Sequence, residues 1–87
     1  MKIKNGYMVS EVAGTAVVVP VDPDHTFRGM LKLNATGRLL WDRLLESATA
    51  AELSALLVSE YEIDGETAER DVDAFLAMLR RFGVLEE

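Results

Sequence analysis

The spacing of apolar residues changes character once along this chain, at Asn34, and no other feature limits its fold so sharply. Before Asn34 the apolar residues come in short, β-branched runs. Tyr7–Val12 and Thr15–Val21 are of strand length, and the turn pair Ala13-Gly14 between them predicts a hairpin. Asp22-Pro23-Asp24 breaks the second run, since proline brings no amide hydrogen to a strand ladder. His25–Gly29 continues as a loop or ragged strand start, and a third short strand is expected at about Met30–Leu33.

From Asn34 onward the period is helical. Asn34 suits an N-cap, and Leu40, Trp41, Leu44 and Leu45 recur at helical spacing to about Glu46. Thr49-Ala50-Ala51-Glu52 has the form of a capping box, after which Leu53, Leu56, Leu57 and Tyr61 mark one buried face. Asp64 is expected to cap a last helix whose core stripe is Ala68, Val72, Phe75, Leu76, Leu79 and Phe82. Arg80 and Arg81 complement the negative end of that helix, Gly83 suits a left-handed C-terminal cap, and Val84 and Leu85 can fold back onto the last turn. Strands followed by helices define an α+β chain, with an N-terminal three-stranded antiparallel sheet and then three helices, in the outline of a winged helix-turn-helix.

Composition closes off several kinds of chemistry. An 87-residue chain, 49% hydrophobic, is long enough for one core and argues for a single domain over 1–87. Without cysteine there is no disulfide, thiolate nucleophile, zinc knuckle or iron–sulfur ligation. Lys2 and Lys4 precede no long apolar run, and Thr15–Val21 is too short for a signal core or a membrane span, so a cytoplasmic protein is expected. The net charge of −6 disfavours nucleic-acid backbones and anionic membranes as partners.

Nothing in the chain assembles into a catalytic site. His25 is the single histidine, and its neighbours Asp22 and Asp24 flank a proline in what reads as a solvated turn. A calcium loop beginning at Asp22 fails, because Phe27 and Leu33 stand where glycine and glutamate are required. Asn34-Ala35-Thr36 matches a glycosylation sequon, but helix capping already accounts for Asn34. Gly14, Gly29 and Gly37 are isolated and form no phosphate loop. Glu66, Glu69, Asp71 and Asp73 crowd one helix beginning, the ordinary complement to a helix dipole. Trp41 could offer a stacking platform, but its helical position favours the core. No enzyme, cofactor or metal site is expected.

Two features bear on binding. Ala74 and Met78 lie at i and i+4 beside the core stripe of the last helix, where they are either extra core or the floor of a groove. A helix-turn-helix outline also raises DNA recognition. That function needs cations or amides at the start of the recognition helix, and here four acids face Arg70 alone.

The passage Leu33-Asn34-Ala35-Thr36-Gly37, followed by Leu40-Trp41 and Leu44, resembles the motif of the PqqD-like family. That family includes the pyrroloquinoline quinone biosynthesis chaperone and the stand-alone recognition elements of ribosomally made, modified peptides. The likeness continues through Thr49–Leu53, Tyr61-Glu62-Ile63-Asp64, Glu69-Arg70-Asp71-Val72, Phe75-Leu76, Leu79 and Gly83-Val84-Leu85. Each piece also makes sense as cap or core, and the specificity lies in their order and spacing.

What the resemblance implies is a non-catalytic adaptor. It would bind the leader of a precursor peptide by strand addition and present it to a separate modifying enzyme, a radical S-adenosylmethionine protein or a leader protease. On this chain the added strand would use the backbone of Met30, Leu31, Lys32 and Leu33. The other wall would be the face of the last helix holding Arg70, Asp71, Ala74, Met78 and Arg81. Lys32, Arg70 and Arg81 would pair acidic leader side chains, and Asp71 and Asp73 basic ones. The alternatives are a winged-helix DNA-binding regulator and an assembly subunit that binds only its partner enzyme. An open sheet edge would also permit a homodimer.

Overall fold

The computed structural model describes residues 1–21 and 31–87. In chain order its elements are β1 (Lys2–Ile3), β2 (Tyr7–Val12), β3 (Thr15–Pro20), β4 (Leu31–Leu33), α1 (Ala35–Arg43), α2 (Ala50–Tyr61), α3 (Gly65–Phe82) and β5 (Leu85–Glu86). The expected three-stranded antiparallel sheet followed by three helices is present, as β2-β3-β4 and then α1 to α3. The turn at Asp22-Pro23-Asp24, the His25–Gly29 segment and Met30 lie outside the described residues.

The β2–β3 register pairs Val12 with Thr15, leaving Ala13 and Gly14 as the hairpin loop. Both have positive φ, 52° and 81°, the signs of a turn whose twist matches that of the strands it joins. Pairing of Val17 with Lys32 and Val18 with Leu31 then fixes β4 beside β3. Alternation along the strands turns Val9, Val18, Leu31 and Leu33 toward the helices, and Met8, Val12 and Lys32 away from them.

Each helix starts where a side chain satisfies an orphan amide. Asn34 Oδ1 accepts the Gly37 amide at 2.8 Å, and Asp64 Oδ1 accepts the Thr67 amide at 2.7 Å. Thr49 and Glu52 form the full capping box, each accepting the other's backbone N–H. These bonds hold both carboxyls below the usual carboxylate range. For Glu52 the first cause is the Thr49 amide, for Asp64 the Thr67 amide. Gly83 ends α3 at φ 72°, a left-handed conformation that favours glycine.

The core joins the inner sheet face to all three helices. Trp41 is 1% exposed and belongs to this core, along with Leu44, Leu53, Leu57, Val72, Leu79 and Val84. Three details depart from expectation. α1 ends at Arg43 rather than near Glu46, and the turn that follows leaves Leu45 exposed. Tyr61 is exposed rather than part of the buried face, because it is the last residue of α2 and Glu62 turns the chain at φ 50°. The third difference is a second sheet, in which β1 pairs antiparallel with β5, Lys2 opposite Glu86 and Ile3 opposite Leu85.

That small ladder is part of a wider clasp. The Ile3 amide donates to the Leu44 carbonyl at 2.8 Å and the Lys4 amide to the Val84 carbonyl at 2.9 Å. Met1 and Ala48 bond reciprocally, the Ala48 amide to the Met1 carbonyl and the Met1 ammonium to the Ala48 carbonyl. The start of the chain therefore stitches the α1–α2 connection to the segment after α3, with Ile3 buried as the anchor.

Candidate functional site

An open groove of about 780 Å³ runs between β4 and α3. Its first wall is Lys32 and Leu33, continuing through the start of α1 from Asn34 to Gly37. Its second wall is the face of α3 carrying Asp71, Ala74, Phe75 and Met78, spaced i, i+3, i+4 and i+7 so that they share one side of the helix. Leu40 contributes beneath, and the hairpin residues Gly14 and Thr15 close one end.

Local chemistry explains why the groove stays open. The core stripe of α3 meets the groove face at Phe75, which is 8% exposed and packs in the core while lining the groove. Ala74 beside it is exposed and too small to fill the space. Met78 is half-buried, packing partly on the core with an unbranched side chain that adapts to what lies against it. Across the groove, β4 is the end strand of its sheet, and its outer side carries no pairing among the described residues. Backbone donors and acceptors thus face an apolar wall, with Lys32 and Asp71 as the two charged residues along the lining.

The residues singled out from sequence fall into three groups. Lys32, Leu33, Asp71, Ala74 and Met78 come together along the groove. Leu31, Arg70 and Arg81 do not line it. Leu31 is buried with its side chain turned into the core, so only its backbone is available at the strand edge. Arg70 reaches Glu66 at 3.5 Å one turn earlier on α3, in an exposed pair; Arg81 is exposed. Met30 lies outside the described residues.

Sequence reasoning missed Asn34–Gly37, Leu40 and Phe75 as lining, because capping and core packing already accounted for them. The available signal was Gly37, a glycine in the first turn of a helix, where the Asn34 cap does not call for one. Among the described residues no group of three or more His, Cys, Asp or Glu side chains is placed to hold a metal, and no helix is long and apolar enough to cross a membrane.

Fold and groove together define a class: a small winged α+β domain with an unpaired edge strand set beside its C-terminal helix. The sequence profile of coenzyme PQQ synthesis protein D (PqqD) matches residues 16–85, and the chain belongs to that family. No curated protein matches the chain. Two solved structures share its fold over nearly the full length. TbiB1 in complex with the TbiA(beta) leader peptide is 28% identical with a TM-score of 0.76, covering 99% of this chain and 95% of that one. Lasso peptide synthetase B1 complexed with the leader peptide is 26% identical with a TM-score of 0.74, covering 99% and 96%.

Proposed function

We propose that this chain is a leader-peptide-binding adaptor, which holds the leader of a ribosomally made precursor and presents its core to a separate modifying enzyme. The observation that carries the reading is the groove, in which an unpaired strand edge faces an apolar helix wall. An extended peptide laid along β4 takes up the edge's donors and acceptors and turns alternate side chains toward Leu33, Ala74, Phe75 and Met78. Membership of the PqqD family and likeness to two leader-bound structures support the same occupant.

The chain itself performs no chemical step in this reading. Its contribution is effective concentration: once the leader is held, the attached core meets the enzyme as a tethered group rather than a dilute one. Ordering a disordered leader offsets part of the gross interaction energy and keeps the complex releasable. Precursor, adaptor and enzyme meet in the cytoplasm. Lys32 pairs an acidic leader side chain and Asp71 a basic one.

The test is an NMR titration of isotope-labelled protein with a synthetic peptide, the leader half of a short open reading frame neighbouring this chain's gene. Saturable shifts concentrated at Lys32, Leu33, Ala74 and Met78 are the expected result. Saturable shifts on another face, with the groove silent, would remove the site assignment. A complete lack of response to the peptide, together with a response to the neighbouring enzyme, would make the chain an assembly subunit instead.

A further inference from the structure

Gly37 is the third residue of α1 and is buried. Its backbone does not require glycine: among the described residues the glycines with positive φ are Gly6, Gly14 and Gly83. Within a helix, glycine is a weak choice beside alanine, because it has more backbone freedom to lose. The reason for it lies in the space around it.

A Cβ on residue 37 would stand 3.2 Å from Asn34 Oδ1, 3.4 Å from Phe75 Cε1 and 3.6 Å from Leu33 Cδ2. The tightest contact is with the cap oxygen, which is already fixed by accepting the Gly37 amide at 2.8 Å. The next is with the Phe75 ring. Asn34, Phe75 and Leu33 all line the groove, as does Gly37. Three elements, β4, α1 and α3, therefore meet at one residue with no side chain, and they meet at the groove.

We propose that Gly37 is a positioning residue of the groove: its missing side chain lets the first turn of α1 close onto Leu33 and Phe75, and that closure sets the depth of the apolar floor offered to a bound peptide. A methyl group there fills that floor itself: it lies against the Phe75 ring and Leu33 at contact distance, crowds the Asn34 cap oxygen by a few tenths of an ångström, and makes the floor shallower. The inference rests on the leader-binding reading for its ligand, while the geometry it asserts belongs to the free protein.

The experiment uses the full chain as wild type, G37A, F75L and the G37A/F75L double variant. NMR of the free proteins reports the side chains, and a fluorescein-labelled peptide of the neighbouring leader sequence reports binding. In G37A the Leu33 methyl and Phe75 ring resonances move while those of Leu53 and Leu57 stay in place, and peptide affinity falls roughly tenfold, as for a modestly overpacked contact. In the F75L background the same glycine-to-alanine change costs much less, because the ring that the methyl meets is gone. Unmoved Leu33 and Phe75 resonances, unchanged affinity, or an equal loss in both backgrounds overturns the proposal. If wild type does not bind the peptide yet the Leu33 and Phe75 resonances move in G37A, the positioning stands and the leader reading fails. If G37A does not fold, recovery of folding in G37A/F75L supports the proposal, and continued failure overturns it.

Discussion

At the scale of single residues, local backbone strain sits in the hairpin turn. Ala13 holds a left-handed conformation at φ 52°, which disfavours alanine and suits asparagine. Ala13→Asn should therefore stabilise the hairpin by roughly 0.5–1 kcal/mol and raise Tm by a few degrees in a thermal melt. A lower Tm would mean that the asparagine side chain meets something the alanine does not. Ala74 is the cleaner probe of the groove, because it is exposed whereas Met78 packs partly on the core. Ala74→Asp should weaken leader binding by about tenfold or more, while costing only about 0.5–0.7 kcal/mol in helix propensity. Full affinity in that variant would remove α3 from the binding site.

The caps give a further residue-scale prediction. Asp64 is more acidic in the folded chain than in the unfolded one, held there first by the Thr67 amide and then by the Thr67 side chain. A carboxyl of this kind contributes stability that is complete above its unfolded pKa of about 4 and is lost as pH falls through its lower folded value. Glu52 has the same sign, its leading cause being the Thr49 amide. Tm should thus stay level from neutral pH down to about 5 and fall below about 4. Asp64→Asn keeps a cap without a titrating group, so its melts should fall less steeply with acid. Parallel curves for the two proteins would refute that role.

At the scale of elements, legibility in the sequence followed the range of the interaction that makes each one. The helix starts at Asn34, Thr49 and Asp64 could be read because a cap and the amide it serves lie three residues apart. The β2–β3 hairpin could be read because its turn and both strands are contiguous. β1 and β5 could not, since two residues make no period and their pairing is settled by packing between the first and last parts of the chain. The groove was half legible for a similar reason. Ala74 and Met78 stand out as a second apolar line on one helix, whereas Gly37 and Phe75 become groove residues only once α1 and α3 meet. The unpredicted clasp should matter energetically. Ile3 is 4% exposed, so Ile3→Ala should cost about 2–5 kcal/mol and increase hydrogen exchange at Leu85 and Glu86. A Tm close to wild type would make the clasp peripheral to the fold.

At the scale of the whole molecule, charge separates this winged domain from nucleic-acid readers of similar outline. The net charge is −6, and Glu66, Glu69, Asp71 and Asp73 are all exposed along the first half of α3. Duplex DNA should not be retarded by the protein in a gel-shift experiment even at low salt, where phosphate contacts are strongest. Salt-sensitive retardation would reopen the DNA reading.

The ladder between β1 and β5 also fixes how the domain can be carried by anything joined to it. Lys2 and Glu86 sit on neighbouring strands of one ladder, so the chain is topologically close to a ring with a single seam. Sequence added before Lys2 and sequence added after Glu86 would leave from the same place. A tethered enzyme would start from one anchor point whichever end it used, and the two orders of fusion would differ in linker length more than in geometry.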